Sequence, residues 1–170
     1  ESLNADSEKT GIKFEVLYDD SMGKPKESVA AANKFISIDG VNALIVLGTA
    51  AVNAVIPIAE NGNVLLLGQT IHPGITQKSN NLFRIYLSGD QEWKVVADYV
   101  NTTDYKRIGV FHINAEYGID SSNFFKKYLD ADRKIVYQEA YELGATDYRS
   151  VLSKVKDVNV DAIVLMGYGN

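Results

Sequence analysis

The sequence has no cysteine, so disulfides and thiolate metal sites are excluded outright. It has only two histidines, His72 beside Pro73 and His112 inside an apolar run, and these give little support to a metal pair or a Ser-His-Asp set. No Gly-x-Ser-x-Gly elbow occurs. No apolar run approaches the roughly 20 residues that a membrane helix needs. Positive charge is in deficit, and the net charge of -5 gives no electrostatic reason to expect nucleic acid or an anionic membrane as partner. The opening residues Glu1-Ser2-Leu3-Asn4-Ala5-Asp6 lack the basic start and apolar core of a targeting segment. Because the chain opens in mid-pattern, an upstream segment is expected, and a removed signal would be lost with it.

What is present is ordinary globular material: 46% hydrophobic and 23% charged residues, enough to bury one core or parts of two. Short β-branched and aliphatic runs recur at Phe14 to Tyr18, Ala43 to Leu47, Val64 to Leu67, Phe83 to Leu87, Ile108 to Ile113, Ile135 to Tyr137 and Ala162 to Met166. Most are apolar throughout, as strands covered on both faces are. Between most of them lie helical stripes at i, i+3, i+4, i+7: Val52, Val55, Ile56 and Ala59; Trp93, Val96, Ala97 and Val100; Tyr148, Val151, Leu152 and Val155. Phe124, Phe125, Tyr128 and Leu129 form another stripe, and Val29, Ala32 and Ile36 a weaker one. Alternation of strand and helix implies parallel crossovers and an α/β class. Pro25 suits a first helical position, Gly40, Gly62 and Gly144 suit segment ends, and Pro57 predicts a kink or late start in its helix. Ser88-Gly89-Asp90 is the expected crossing between two lobes, with residues 1–88 forming part of the first and 89–170 part of the second.

Several short motifs have simple readings. Gly23-Lys24-Pro25 lacks the upstream glycine of a phosphate loop and reads as a turn into a helix. Gly167-Tyr168-Gly169 follows a strand and could begin a dinucleotide fingerprint, which leaves a nucleotide-dependent enzyme as an alternative; a strand-end turn explains it more simply. Asp19-Asp20 could pair for acid-base work or hold a metal, and a turn-forming role explains them at least as well. His112 reads as a satisfied strand residue and His72 as a loop residue. Asn101-Thr102-Thr103 matches a glycosylation pattern that matters only in a eukaryotic secreted protein.

In open α/β sheets, ligands bind beyond the carboxyl ends of the strands. Gly48-Thr49-Ala50-Ala51 follows the second run and opens a helix, where free backbone N–H groups and the helix dipole would suit a carboxylate. Gly68-Gln69-Thr70 follows the third run, Glu116-Tyr117-Gly118 the fifth, and Tyr168 the last. Tyrosines there could cover an apolar ligand and offer a hydroxyl. Equally, Thr49 could simply cap a helix and the tyrosines pack a surface.

These same residues carry a family resemblance. The stretch from Phe14-Glu15-Val16-Leu17-Tyr18-Asp19-Asp20 to Asp39-Gly40-Val41-Asn42-Ala43-Leu44-Ile45 resembles type I periplasmic binding proteins, nearest the branched-chain amino-acid binding group. Gly48, Ile56-Pro57-Ile58-Ala59-Glu60, Thr70, Phe83-Arg84, Ile108-Gly109-Val110, Tyr117-Gly118, Asp147-Tyr148 and Asp161-Ala162-Ile163-Val164 continue it in order. The resemblance implies a partial Venus flytrap of parallel three-layer α/β/α lobes, closing on a small ligand outside the cytoplasm and delivering it to the membrane permease of an ABC transporter. It implies no enzyme activity, cofactor, metal or nucleic-acid partner. Thr49, Ala50 and Ala51 would hold a ligand carboxylate and Thr70 its amino group, while Tyr117 and Tyr168 would lie over the ligand from the second lobe. An acidic residue that often fixes the ammonium would lie beyond Asn170. The family often has serine after Gly48, whereas Thr49 and two alanines stand here, and Gln69 and Ile71-His72 replace smaller residues beside Thr70. These departures widen the expected ligand from an amino acid to other small carboxylates, aromatic acids included. The chain is about half a typical member and lacks the family's central first strand, so an incomplete first lobe, or one completed by association, is expected. A receptor ectodomain of the same fold is the alternative role.

Overall fold

The computed structural model describes residues 4, 5 and 7–167. Six strands form two separate three-stranded parallel sheets. The first contains β1 (Ala43–Leu47), β2 (Leu65–Gln69) and β3 (Leu82–Arg84), in that order. In the second, β4 (Arg107–Ile113) lies between β5 (Lys134–Tyr141) and β6 (Ala162–Met166). The helices are α1 (Ser7–Thr10), α2 (Pro25–Ser37), α3 (Thr49–Asn61), α4 (Gly89–Asn101), α5 (Glu116–Tyr128) and α6 (Arg149–Asp157).

Each sheet has its own core. Around the first, Ala32 of α2 and Val52, Val55, Ile56 and Ala59 of α3 pack on Leu44, Leu66 and Leu82. Around the second, Trp93, Ala97 and Val100 of α4 and Phe125 of α5 pack on Ile108, Val110 and Met166. The stripes of α2 to α5 thus face the sheets, and burial of each Val, Leu, Ile or Phe among them stabilises the fold by roughly 1.5–3 kcal/mol. In the Tyr148, Val151, Leu152, Val155 stripe only Val155 is buried, while Tyr148 and Leu152 are exposed. Pro25 occupies the start of α2, as its fixed φ and missing N–H allow. Pro57 sits inside α3, yet the helix begins at Thr49 and runs on to Asn61, so no late start occurs.

Two elements hold the second core at close range. Gly118 lets α5 approach β4 so closely that a Cβ there would lie 2.2 Å from the Ile113 carbonyl oxygen. Arg133, almost wholly buried, donates to the carbonyls of Val100 (3.2 Å), Asn101 (2.6 Å) and Thr103 (2.8 Å); Val100 O also accepts from Thr103, so Arg133 serves chiefly the Asn101 and Thr103 acceptors at and just past the end of α4.

The run Phe14 to Tyr18 forms no strand, contrary to the sequence expectation; it has no regular secondary structure and lies in no sheet, and Tyr18 is 87% exposed. A strand needs a ladder partner. β1 pairs only with β2, and no strand among the described residues occupies its other edge. Instead the Asn4 side chain pairs with the backbone of Phe14, accepting from its N–H at 2.7 Å and donating to its carbonyl at 2.8 Å. The first sheet is also open on one face. Leu44, Leu66 and Leu82 point to the helices, while Ile45 (64% exposed), Leu47 (64%) and Phe83 (57%) lie on the opposite side.

Candidate functional site

The carboxyl ends of β1 and β2 carry the start of α3. Gly48, at φ 96°, turns the chain from β1 into the helix in a conformation that favours glycine. Its N–H donates to Gln69 O at 2.9 Å, tying the turn to the end of β2. Val52 N–H makes the helix's opening bond, to Gly48 O at 2.9 Å, so the N–H groups of Thr49, Ala50 and Ala51 precede the intrahelical ladder. They sit at the positive end of the helix dipole, a setting that favours an anion. The Thr70 hydroxyl donates to Thr49 Oγ1 at 3.0 Å and accepts from His72 N–H at 3.2 Å. Both threonines are buried, and the shared bond leaves Thr49's own hydroxyl hydrogen as a further donor at the helix start.

Past β4, α5 opens with Glu116 and Tyr117. The Tyr117 ring is half-buried, and burial together with the Glu92 carboxylate pushes its phenol up. Tyr86 and Tyr141 stand near enough to add smaller contributions. Tyr141 in turn packs edge-on against Tyr148, with ring centroids 5.8 Å apart. Glu92 has one carboxylate oxygen buried without a hydrogen-bond partner, and burial raises its carboxyl.

A polar chain connects the two sets. Asn53, one turn into α3, donates from Nδ2 to Glu116 Oε1 at 2.6 Å and accepts at Oδ1 from Lys78 Nζ at 2.7 Å. One turn further along α5 lies Asp120, whose carboxyl burial raises, while His72 and Lys78 draw it down and Glu116 pushes it up. The starts of α3 and α5 therefore stand next to each other, each following the carboxyl end of a central or edge strand of its own sheet. A separate hollow of about 540 Å³, lined by Lys126, Arg133, Ile135 and Tyr137 among others, lies at the far ends of α5 and β5.

Of the residues singled out in the sequence, Thr49, Ala50, Ala51 and Thr70 come together at the start of α3, and Tyr117 stands at the start of α5 beside Glu116. Tyr168 lies outside the described residues. Asp20 takes the turn role, accepting from Met22 N–H at 2.8 Å. His112 is buried, with Nδ1 3.1 Å from Ile113 O and Nε2 3.1 Å from Gln138 Nε2. Among the described residues no group of three or more His, Cys, Asp or Glu side chains is placed to hold a metal, and no helix is long and apolar enough to cross a membrane. Sequence reasoning missed Asn53, Lys78, Glu92 and Asp120. Asn53 had a signal, being the one polar residue between Thr49 and Glu60 of an otherwise apolar helix.

Comparison with known proteins gives a consistent picture. A family model described as "Periplasmic binding protein" matches residues 1–170. The Leu/Ile/Val-binding protein BraC3 of Rhizobium johnstonii is 30% identical over 166 residues, covering 93% of this chain and 44% of the relative. The leucine binding protein LivK of Thermotoga maritima superposes with a TM-score of 0.86 at 26% identity, over 98% of this chain and 49% of that one. A solute binding protein of an ABC transporter from Rhodopseudomonas palustris BisB5, solved with 3,4-dihydroxybenzoic acid, shares the fold at TM-score 0.84 and 23% identity, over 97% of this chain and 48% of that one. The chain thus spans about half the length of the relatives it matches. With two parallel α/β sheets and helices opening at their strand ends, this chain belongs to the periplasmic binding protein family.

Proposed function

We propose that the protein is an extracytoplasmic solute-binding protein that captures a small carboxylate, an amino acid or an aromatic acid, and hands it to the permease of an ABC transporter. Residues 1–88 contribute to one lobe and 89–170 to the other, and closure of the lobes traps the ligand. The binding step makes and breaks no covalent bond. The reading rests chiefly on the start of α3, where three N–H groups ahead of the helical ladder and the Thr49 hydroxyl converge next to the start of α5. In this reading Thr49, Ala50 and Ala51 take the ligand carboxylate, and Thr70, whose oxygen keeps one unused lone pair, takes an amino or hydroxyl group. Tyr117 covers the ligand from the second lobe, and Tyr168 is its companion there.

Relatives bearing Leu/Ile/Val-binding names and a neighbour holding a dihydroxybenzoate both support a carboxylate-bearing ligand. Binding energy would come from fixed donors on the carboxylate and from burial of the ligand's apolar part. Titration calorimetry of the full-length protein against branched-chain amino acids and hydroxybenzoates is the test. Saturable heat with one class assigns the ligand, and no heat or thermal shift with any member refutes the carboxylate reading.

A further inference from the structure

We propose that Asn53, Lys78 and Glu116 form a latch between the two lobes, and that these positioning residues raise ligand affinity by stabilising the closed state without touching the ligand. The inference rests on the solute-binding reading above. Its physical basis is the division of labour around one amide. Lysine can only donate, so Lys78 Nζ takes Asn53 Oδ1 (2.7 Å) and leaves Nδ2 to face outward. Glu116 can only accept when ionised, and it takes that Nδ2 at 2.6 Å. Lys78 thereby decides which end of the amide the other side meets.

The three residues come from three places: α3, the short 3-10 turn Ile75–Lys78, and the first turn of α5. Glu116 and Asn53 are 63 positions apart and belong to different sheets' helices. No local folding requirement brings them together. The first side presents the Lys78 ammonium and the Asn53 amide, and the second presents the Glu116 and Asp120 carboxylates, so the facing surfaces are complementary. A bond made only when the lobes approach adds to the closed state alone. Observed affinity is the intrinsic affinity scaled by the fraction of protein that is closed, so such a bond strengthens binding at a distance from the ligand.

The experiment compares full-length wild type with Asn53→Ala, Lys78→Met and Glu116→Gln, and with Asp98→Asn in an exposed ion pair as control. L-leucine and 4-hydroxybenzoate serve as probes. Stopped-flow binding, thermal midpoints of the ligand-free proteins and small-angle scattering are read together. Each latch variant is expected to lose about tenfold in affinity, as fits a hydrogen bond to a charged group, with the loss in the off-rate. The ligand-free midpoint should stay within about 1 °C of wild type, the control should bind normally, and Asn53→Ala combined with Glu116→Gln should be no weaker than either alone. Affinity within twofold of wild type in the variants, or a loss that tracks a fallen midpoint, overturns the latch. If wild type binds neither probe, scattering decides: unchanged compactness of ligand-free Asn53→Ala refutes the latch, and a more open average supports it even though the assigned ligand class has failed.

Discussion

Gly118→Ala sets two familiar effects against each other, and the structure decides between them. On helix propensity alone, replacing a helical glycine by alanine stabilises by about 1 kcal/mol. Here the added Cβ would stand 2.2 Å from the Ile113 carbonyl oxygen and 2.9 Å from both the Ile113 nitrogen and Cγ2. Restoring ordinary contact requires the start of α5 to retreat by about 1 Å, because backbone atoms at the end of β4 cannot rotate aside as a side-chain tip can. Overpacking of this kind costs about 1–3 kcal/mol, and obstruction by backbone places this case toward the upper end. The retreat would also loosen the edge-on contact of Trp93 with Phe125, whose ring centroids are 6.5 Å apart. The net expectation is a loss of about 1–2 kcal/mol. Urea unfolding of the full-length protein should show a lower midpoint for Gly118→Ala at unchanged slope. Gly62→Ala is the matched comparison: its Cβ would crowd the Ile36 side chain, at 2.7 Å, which can change rotamer, and would reach backbone only at an ordinary 3.4 Å from Ile58 O. It should cost less. A Gly118→Ala midpoint equal to or above wild type would refute the argument, since propensity would then have outweighed the supposed contact. Tyr117 is the neighbouring residue, so the same variant should also weaken ligand binding.

Further consequences follow from single side chains. Arg133→Ala leaves the Asn101 and Thr103 carbonyls without their donor, while Val100 O keeps Thr103, and should cost about 2 kcal/mol by chemical denaturation; Arg133→Lys, with fewer donors, should recover only part of it. Glu92 has its folded-state carboxyl raised by burial above the ordinary 4.5, so its ionised form opposes folding above the folded value and the penalty vanishes below pH 4.5. Glu92→Gln should therefore raise the thermal midpoint at pH 7, and the advantage should shrink to nothing as pH falls below 4.5; a constant difference across that window would contradict it. The 170-residue chain studied alone should self-associate through the open face of the first sheet, and Ile45→Lys with Leu47→Lys should shift it toward monomer in sedimentation velocity. A monomeric wild-type chain would refute that expectation.

Elements whose information is local were legible in the sequence. The β1 run reads Ala43 to Leu47 and ends there in the structure, because a Gly follows with a backbone conformation that no strand adopts. The stripe Val52, Val55, Ile56, Ala59 places α3 on its sheet without any tertiary knowledge. The start of α3 was legible for the same reason: a glycine, a threonine and two alanines after a strand describe a tight turn into a helix, although Gly48 and not Thr49 takes the cap position. Pro57 was misleading in part. Its missing N–H forfeits one bond, yet the helix continues because Val55, Ile56 and Ala59 are buried on either side of it, and their burial outweighs that loss. The connection between the two halves was not legible. Asn53 reaches Glu116 across 63 positions and Lys78 across 25, so no periodicity can register it.

The first sheet shows most clearly what an apolar run does and does not report. β1 and the Ile108 to Ile113 stretch of β4 are both largely apolar with no regular polar alternation, and the pattern implies cover on both faces for each. β4 meets that expectation, being buried from Ile108 to Ile113. β1 does not, since Ile45 and Leu47 face outward and one edge of the strand is unpaired. The difference cannot lie in the strands themselves. It lies in what stands beside them: β4 has a neighbour on each edge, whereas β1 has β2 on one edge and, among the described residues, no strand on the other, and Phe14 to Tyr18 joins no sheet. Exposed aliphatic side chains, a strand edge with no partner among the described residues and an apolar segment outside any sheet in one half of the chain are one physical deficit seen three times. Any variant that adds a single parallel strand at the free edge of β1 should draw Phe14 to Tyr18 into a sheet through it, because a central strand offers hydrogen bonds to both sides at once.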